Sequence, residues 1–168
     1  TLITEKKQQE SCENKMVKQL EIASPIKGTV LKLEKMKDDA FASGVLGKGA
    51  AIIPEEGNVY APADGVITAL FPTLHAIGMQ ADNGLELLIH IGLDTVQLNG
   101  EGFRAMVKQG DRVKKGQLLV TFDKEFIESK GFCLETPVLV TNSDDFLEVI
   151  ETKQTEVSPG DCFITVLQ

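Results

Sequence analysis

The chain has 168 residues, of which 42% are hydrophobic and 25% charged, enough for one well-buried core of an ordinary soluble protein and a squeeze for two. Its 25 acidic side chains outnumber 17 basic ones, a formal net charge of −8 that argues against nucleic acid, whose phosphates call for clustered Lys and Arg. No apolar run approaches the roughly 18–20 residues of a membrane span and no secretory leader is recognised. The three cysteines, Cys12, Cys133 and Cys162, form neither a disulfide framework nor a C-x-x-C zinc motif. A reducing compartment is the simplest setting, with Cys133 and Cys162 expected to pack as small apolar residues.

Residues 1–18 are rich in Lys, Glu, Gln and Asn, without a sustained apolar stripe, and are expected to form a disordered leader or linker. A start on Thr1 hints at excision from something longer, or at processing. From Leu20 onward, turn residues recur at short intervals, the pattern of an antiparallel sandwich or barrel. Ser24-Pro25 opens a turn into a strand through Leu33, and strands are predicted over 50–54, 58–60, 65–71, 78–82, 85–91, 117–122, 137–141 and 162–167. Residues 124–130 predict a helical turn or two closed by Gly131, and residues 144–150 a short helix or a turn-rich crossing. Ser24-Pro25-Ile26-Lys27-Gly28-Thr29-Val30 is echoed by Ala61-Pro62-Ala63-Asp64-Gly65-Val66-Ile67, as if one turn-plus-strand entry were used twice.

One strand differs in chemistry from the rest. In Leu85-Glu86-Leu87-Leu88-Ile89-His90-Ile91-Gly92-Leu93-Asp94-Thr95, alternation puts Leu85, Leu87, Ile89, Ile91 and Leu93 on one apolar face and Glu86, Leu88, His90, Gly92 and Asp94 on the other. His90 therefore stands beside an apolar side chain, a bare glycine and a carboxylate. The second histidine lies in Phe71-Pro72-Thr73-Leu74-His75-Ala76; if that piece is extended, Thr73 and His75 share a face and the hydroxyl can fix the tautomer of the ring. Two histidines, each with a local orienting group, suggest a pair.

Taken together with Asp38 through Gly49, Leu98-Asn99-Gly100-Glu101-Gly102-Phe103, Gly110-Asp111-Arg112-Val113 and Thr136-Pro137-Val138, these segments closely resemble the glucose-type IIA domain of the bacterial phosphoenolpyruvate-dependent sugar phosphotransferase system. The similarity runs from about Ile22 to Val166 in family order. It implies an all-β antiparallel sandwich of jelly-roll or barrel-sandwich type over residues 19–168, with a few short helical turns. It also implies a phosphotransferase that accepts phosphate on His90 from a histidine-containing phosphocarrier protein and passes it to a cysteine on the IIB domain of a sugar permease. His75 is similar to the family's supporting histidine, and Thr73 and the Gly92 carbonyl are expected to anchor the far sides of the two rings. Phe41, Val45, Phe71 and Leu88 are expected to line a shallow docking depression, and Asp38 and Asp94 to meet an arginine on the donor. Lys48 stands where an acidic residue is common in the family and Gln97 where Glu is frequent, which bears on partner preference.

No cofactor is required by this reading, although His75 and His90 with a partner's carboxylate could take zinc opportunistically. The setting is cytoplasmic, reaching the inner face of the membrane only through the permease, whose membrane domain chooses the sugar. Two rivals are weaker. A lysostaphin-type zinc peptidase shares the H-x-x-x-D spacing of His90 and Asp94 but needs a further H-x-H, and there are two histidines in all. A biotinyl or lipoyl carrier is echoed by Gly110 to Leu118, yet Lys35-Met36-Lys37-Asp38 imitates the modified hairpin poorly.

Overall fold

The computed structural model describes residues 17–168, so most of the expected leader lies outside the described residues. The leader's last residue, Lys18, already exchanges backbone hydrogen bonds with Gln168, at 3.4 and 2.9 Å. In chain order the elements are β1 (Gln19–Ala23), β2 (Gly28–Lys32), α1 (Asp39–Ala42), β3 (Lys48–Pro54), β4 (Asn58–Tyr60), β5 (Gly65–Leu70), β6 (Ala76–Ala81) and β7 (Glu86–His90). They continue as β8 (Phe103–Ala105), β9 (Arg112–Val113), β10 (Leu118–Phe122), α2 (Lys124–Ser129), β11 (Thr136–Val140), β12 (Glu148–Glu151), β13 (Glu156–Val157) and β14 (Cys162–Leu167). Short 3-10 turns cover Leu33–Lys35, Thr95–Leu98 and Ser143–Asp145.

The strands form three antiparallel sheets, ordered β1-β14-β12, β4-β10-β8 and β13-β2-β3-β11-β7-β6-β5-β9. The expected all-β antiparallel architecture is therefore what the chain adopts. In the eight-stranded sheet one row of side chains, Ala50, Val138, Ile89 and Ile77, runs register by register across β3, β11, β7 and β6. All four belong to the main apolar core. Because side chains alternate, the next row, Gly49, Leu139, Leu88 and Gly78, faces the other way. There Leu139 joins Met36, Phe41, Ala51 and Leu93 in a second, smaller cluster, against which Leu88 packs. The central strand β11 is buried at every position, as a strand covered on both faces must be.

The duplicated turn is a real structural device. Ala23 donates its amide to Pro62 O at 3.0 Å and Tyr60 donates to Pro25 O at 2.8 Å, so the two copies lie side by side. Each then enters a strand at a glycine, Gly28 or Gly65, whose missing Cβ leaves room for the carbonyl of Ile53 or Gln80.

Several expectations change in detail. Of the short helix or turn-rich crossing expected over residues 144–150, the chain forms a 3-10 turn that leads into a strand not expected there, β12, whose Val149 and Ile150 pair with Val166 and Thr165. The short strands β1, β8 and β13 and the four-residue α1 were not expected; each is too short to show a period of its own. Cys133 packs beside the second cluster, as expected, whereas Cys162 is exposed on β14.

Candidate active site

The two histidines meet because β6 and β7 are neighbours. Ala76 pairs with His90 across the ladder, and His75 is the residue immediately before β6. Their ring centroids lie 4.9 Å apart with an 83° angle between planes, so the rings meet edge to face. Phe41 packs on His90 at 5.0 Å and Phe71 stands edge-on to His75 at 5.4 Å.

Each ring is fixed at its far nitrogen. His90 Nδ1 donates to the Gly92 carbonyl at 2.7 Å, and because a carbonyl only accepts, the proton of the neutral ring sits on Nδ1 and Nε2 carries a lone pair. His75 Nδ1 lies 2.6 Å from Thr73 Oγ1. The route to that second contact differs from the expected one. Residues 71–75 are not an extended strand but a turn, with Leu74 in the left-handed region at φ 60, and the turn folds Thr73 back onto the ring.

Gly92 itself has φ +77, and a Cβ there would lie 2.7 Å from Thr95 Cγ2 and 3.0 Å from Cys133 O. Only glycine lets the carbonyl turn back to a ring two residues earlier in such a space. Asp94 comes next but one, in the left-handed region at φ 59, and is exposed.

Burial and the neighbouring His90 ring push the His75 pKa down to about 4. His90 is also lowered by burial, an effect opposed first by the Gly92 hydrogen bond and then by the carboxylates of Asp38 and Asp94. Both rings are neutral at physiological pH, the state in which an imidazole nitrogen is a nucleophile.

The expected docking residues divide. Val45 and Phe71 are 77% and 44% exposed, whereas Phe41 is only 7% exposed and Leu88 is half-buried, so these last two form the floor under His90 and not its rim. Leu46 and Val96, not singled out from sequence, complete the exposed apolar set beside α1 and after Asp94. Asp38 caps α1 by accepting from Ala40 N at 2.8 Å, which also sets where its carboxylate stands relative to His90. Lys48 and Gln97 are both exposed, on β3 and on the 3-10 turn after Asp94. Among the described residues, no group of three or more His, Cys, Asp or Glu is placed to hold a metal.

Residues 20–146 match the family model of the phosphoenolpyruvate-dependent sugar phosphotransferase system, EIIA 1. The chain is 45% identical over 144 residues to a glucose-specific EIIA component of Oceanobacillus iheyensis, covering 86% of this chain and 87% of that one. It is 50% identical over 141 residues to a β-glucoside-specific EIIBCA component of Halalkalibacterium halodurans, covering 84% of this chain and 22% of the relative. The chain thus spans about a fifth of the length of the β-glucoside-specific relatives it matches. Among solved structures, the glucose permease IIA from Mycoplasma capricolum superposes with a TM-score of 0.80 at 36% identity, covering 88% of this chain and 96% of that one.

Proposed function

The chain belongs to the EIIA 1 family of the phosphoenolpyruvate-dependent sugar phosphotransferase system, and from that premise we propose that its phosphotransferase activity runs through His90 Nε2. The donor is a histidine-containing phosphocarrier protein and the acceptor a cysteine on the IIB domain of a sugar permease. Residues 19–168 act as the carrier domain at the cytoplasmic face of the membrane. No helix among the described residues is long and apolar enough to cross a membrane. The observation that carries the reading is the hydrogen bond from His90 Nδ1 to the Gly92 carbonyl, which leaves Nε2 as the nucleophilic atom beside a second neutral imidazole.

In the first step the Nε2 lone pair forms a bond to phosphorus as the nitrogen–phosphorus bond of the donor breaks and returns an electron pair to the donor's ring. In the second, a cysteine thiolate on the acceptor forms a sulfur–phosphorus bond as the Nε2–phosphorus bond breaks. Phosphoryl transfer of this kind needs chiefly in-line placement and stabilisation of the oxygens. His75 supplies the latter: with the Thr73 hydroxyl donating to Nδ1, the ring proton is on Nε2 and offers an N–H to a phosphoryl oxygen. Phe41 packed on His90 and Phe71 edge-on to His75, together with the exposed Val45, Leu46 and Val96 that follow α1 and Asp94 in the chain, exclude water once a partner docks, which protects the phosphohistidine. Asp38 and Asp94 attract a cationic partner to the same face.

The sugar is chosen outside this domain, since relatives of similar identity carry β-glucoside-specific and glucose-specific names. Zinc, where it binds, takes His75 and His90 as two ligands and requires a partner's carboxylate to complete a tetrahedral site.

The test is incubation with phosphoenolpyruvate, the phosphorylating enzyme and the donor protein, using radiolabelled phosphate. Wild type gains acid-labile, alkali-stable label and His90→Ala gains none; normal labelling of His90→Ala overturns the assignment.

A further inference from the structure

We propose that Thr95 and Thr136 clamp the two ends of the Ile91–Gly92 peptide and so hold His90 in the single tautomer that can accept phosphate. The inference rests on the phosphocarrier reading but assigns positioning work to residues that the reading does not use.

The Ile91 carbonyl and the Gly92 amide belong to one planar peptide group. Thr95 Oγ1 donates to the carbonyl end. At the other end the Gly92 N–H donates to Thr136 Oγ1 at 3.4 Å. Thr136 spends its own proton on Leu134 O at 2.8 Å, so the lone pair it turns to Gly92 has a fixed sense. Both threonines are fully buried, where water cannot take over either bond. One hydroxyl comes from the turn after β7 and the other from the first residue of β11, so the peptide is held from two separate elements.

The clamp acts on the adjoining carbonyl. The Gly92 oxygen that accepts from His90 Nδ1 lies in the next peptide, whose Leu93 amide donates to Cys133 O at 2.9 Å, and the two planes meet at the Cα of Gly92, so the angle between them is set by the clamp on one side and this anchor on the other. Release of either end lets the Ile91–Gly92 peptide rotate, and the Gly92 carbonyl then tilts about its remaining Leu93–Cys133 anchor, which loosens its bond to the ring. The proton is then free to move to Nε2, where it occupies the lone pair that must attack phosphorus. Thr136 in this way sets the protonation pattern of a ring that it does not touch.

The experiment is ring nitrogen NMR on the unphosphorylated, isotopically labelled protein, paired with steady-state phosphoryl acceptance. Wild type and Thr136→Ser show His90 protonated on Nδ1 alone. Thr136→Val, which keeps the shape and loses the hydroxyl, shows a mixture of the two tautomers and a kcat reduced about 10-fold with KM for the donor unchanged. The His75 ring shifts stay constant and serve as the internal reference. Should Thr136→Val fail to fold, Thr95→Val tests the other end by the same two readouts. Wild-type His90 ring shifts in the valine variant, or an equal loss in Thr136→Ser, overturn the proposal. If wild type is never labelled at His90, the phosphocarrier reading fails, while the ring shifts still decide the clamp.

Discussion

Ile91 donates its amide to the carbonyl of His75 at 2.6 Å, the rung beyond the Ala76–His90 pair as β6 and β7 run out. The two imidazoles are therefore placed by backbone pairing and not by the reach of flexible side chains. A slip of one residue between these strands would exchange the faces of β7 and turn His90 into the main core. The buried row through Ile77, Ile89 and Val138 makes such a slip costly.

The pair predicts a division of labour. His90→Ala loses all phosphoryl acceptance, while His75→Ala still accepts phosphate but passes it on about 100-fold more slowly, the usual order for removing one donor to a transferring group. Single-turnover transfer from the phosphorylated protein to an acceptor cysteine measures the second step alone. Normal onward transfer by His75→Ala would remove that residue from the mechanism.

Acid sensitivity arises from the low pKa of His75. The ring is neutral in the fold and titrates at about 4, against an ordinary 6.5 when unfolded. The unfolded chain thus binds the extra proton first. The contribution is fully present above pH 6.5 and is lost as pH falls from 6.5 towards 4, by up to about 3 kcal/mol. Urea midpoints for wild type and His75→Gln at pH 7 and pH 4.5 isolate it, because the glutamine variant loses less stability over the same interval.

Asp38→Asn and Asp94→Asn together remove two carboxylates that hold His90 up against its burial. The expected results are a further drop in the His90 pKa and a raised KM for the donor, with the gap from wild type narrowing at high ionic strength. Asparagine still caps α1, so the helix is retained and the change reads charge. NMR titration and kinetics at two salt concentrations check both.

Gly92→Ala combines a left-handed φ with a Cβ forced against Thr95 and the Cys133 carbonyl. The cost is about 2–4 kcal/mol of stability. Phosphoryl acceptance falls as well, because the carbonyl that orients His90 is displaced. Thermal melts and labelling measure the two effects separately.

Leu139→Ala tests the floor of the site from below. Leu139 is fully buried on β11 in the small cluster that also holds Phe41 and Leu93. Its truncation costs about 2–5 kcal/mol. Phe41 then packs less firmly on His90, and donor binding weakens alongside the melting temperature.

How far the sequence carried varies with the kind of signal. The strand around His90 was legible because its alternation spans both faces, and Leu85, Leu87, Ile89, Ile91 and Leu93 are all buried as that alternation requires. The Thr73–His75 contact was legible as a pairing but not as a shape. Pro72 and the left-handed Leu74 make a turn where the pattern reads equally well as extended chain. Phe41 and Val45 looked alike from composition, yet they separate into floor and rim because α1, only four residues long, turns one inward and leaves the other beyond its end. The hydrogen bonds that Thr95 and Thr136 make to the Ile91–Gly92 peptide left no mark, since neither a threonine in a turn nor one opening an apolar strand departs from ordinary composition.

On the route proposed above, the one nucleophilic nitrogen of His90 has to meet first the molecule that brings the phosphate and then the molecule that takes it away. Two visitors cannot stand there at once. A partner that clung more tightly would hold that place longer against the next.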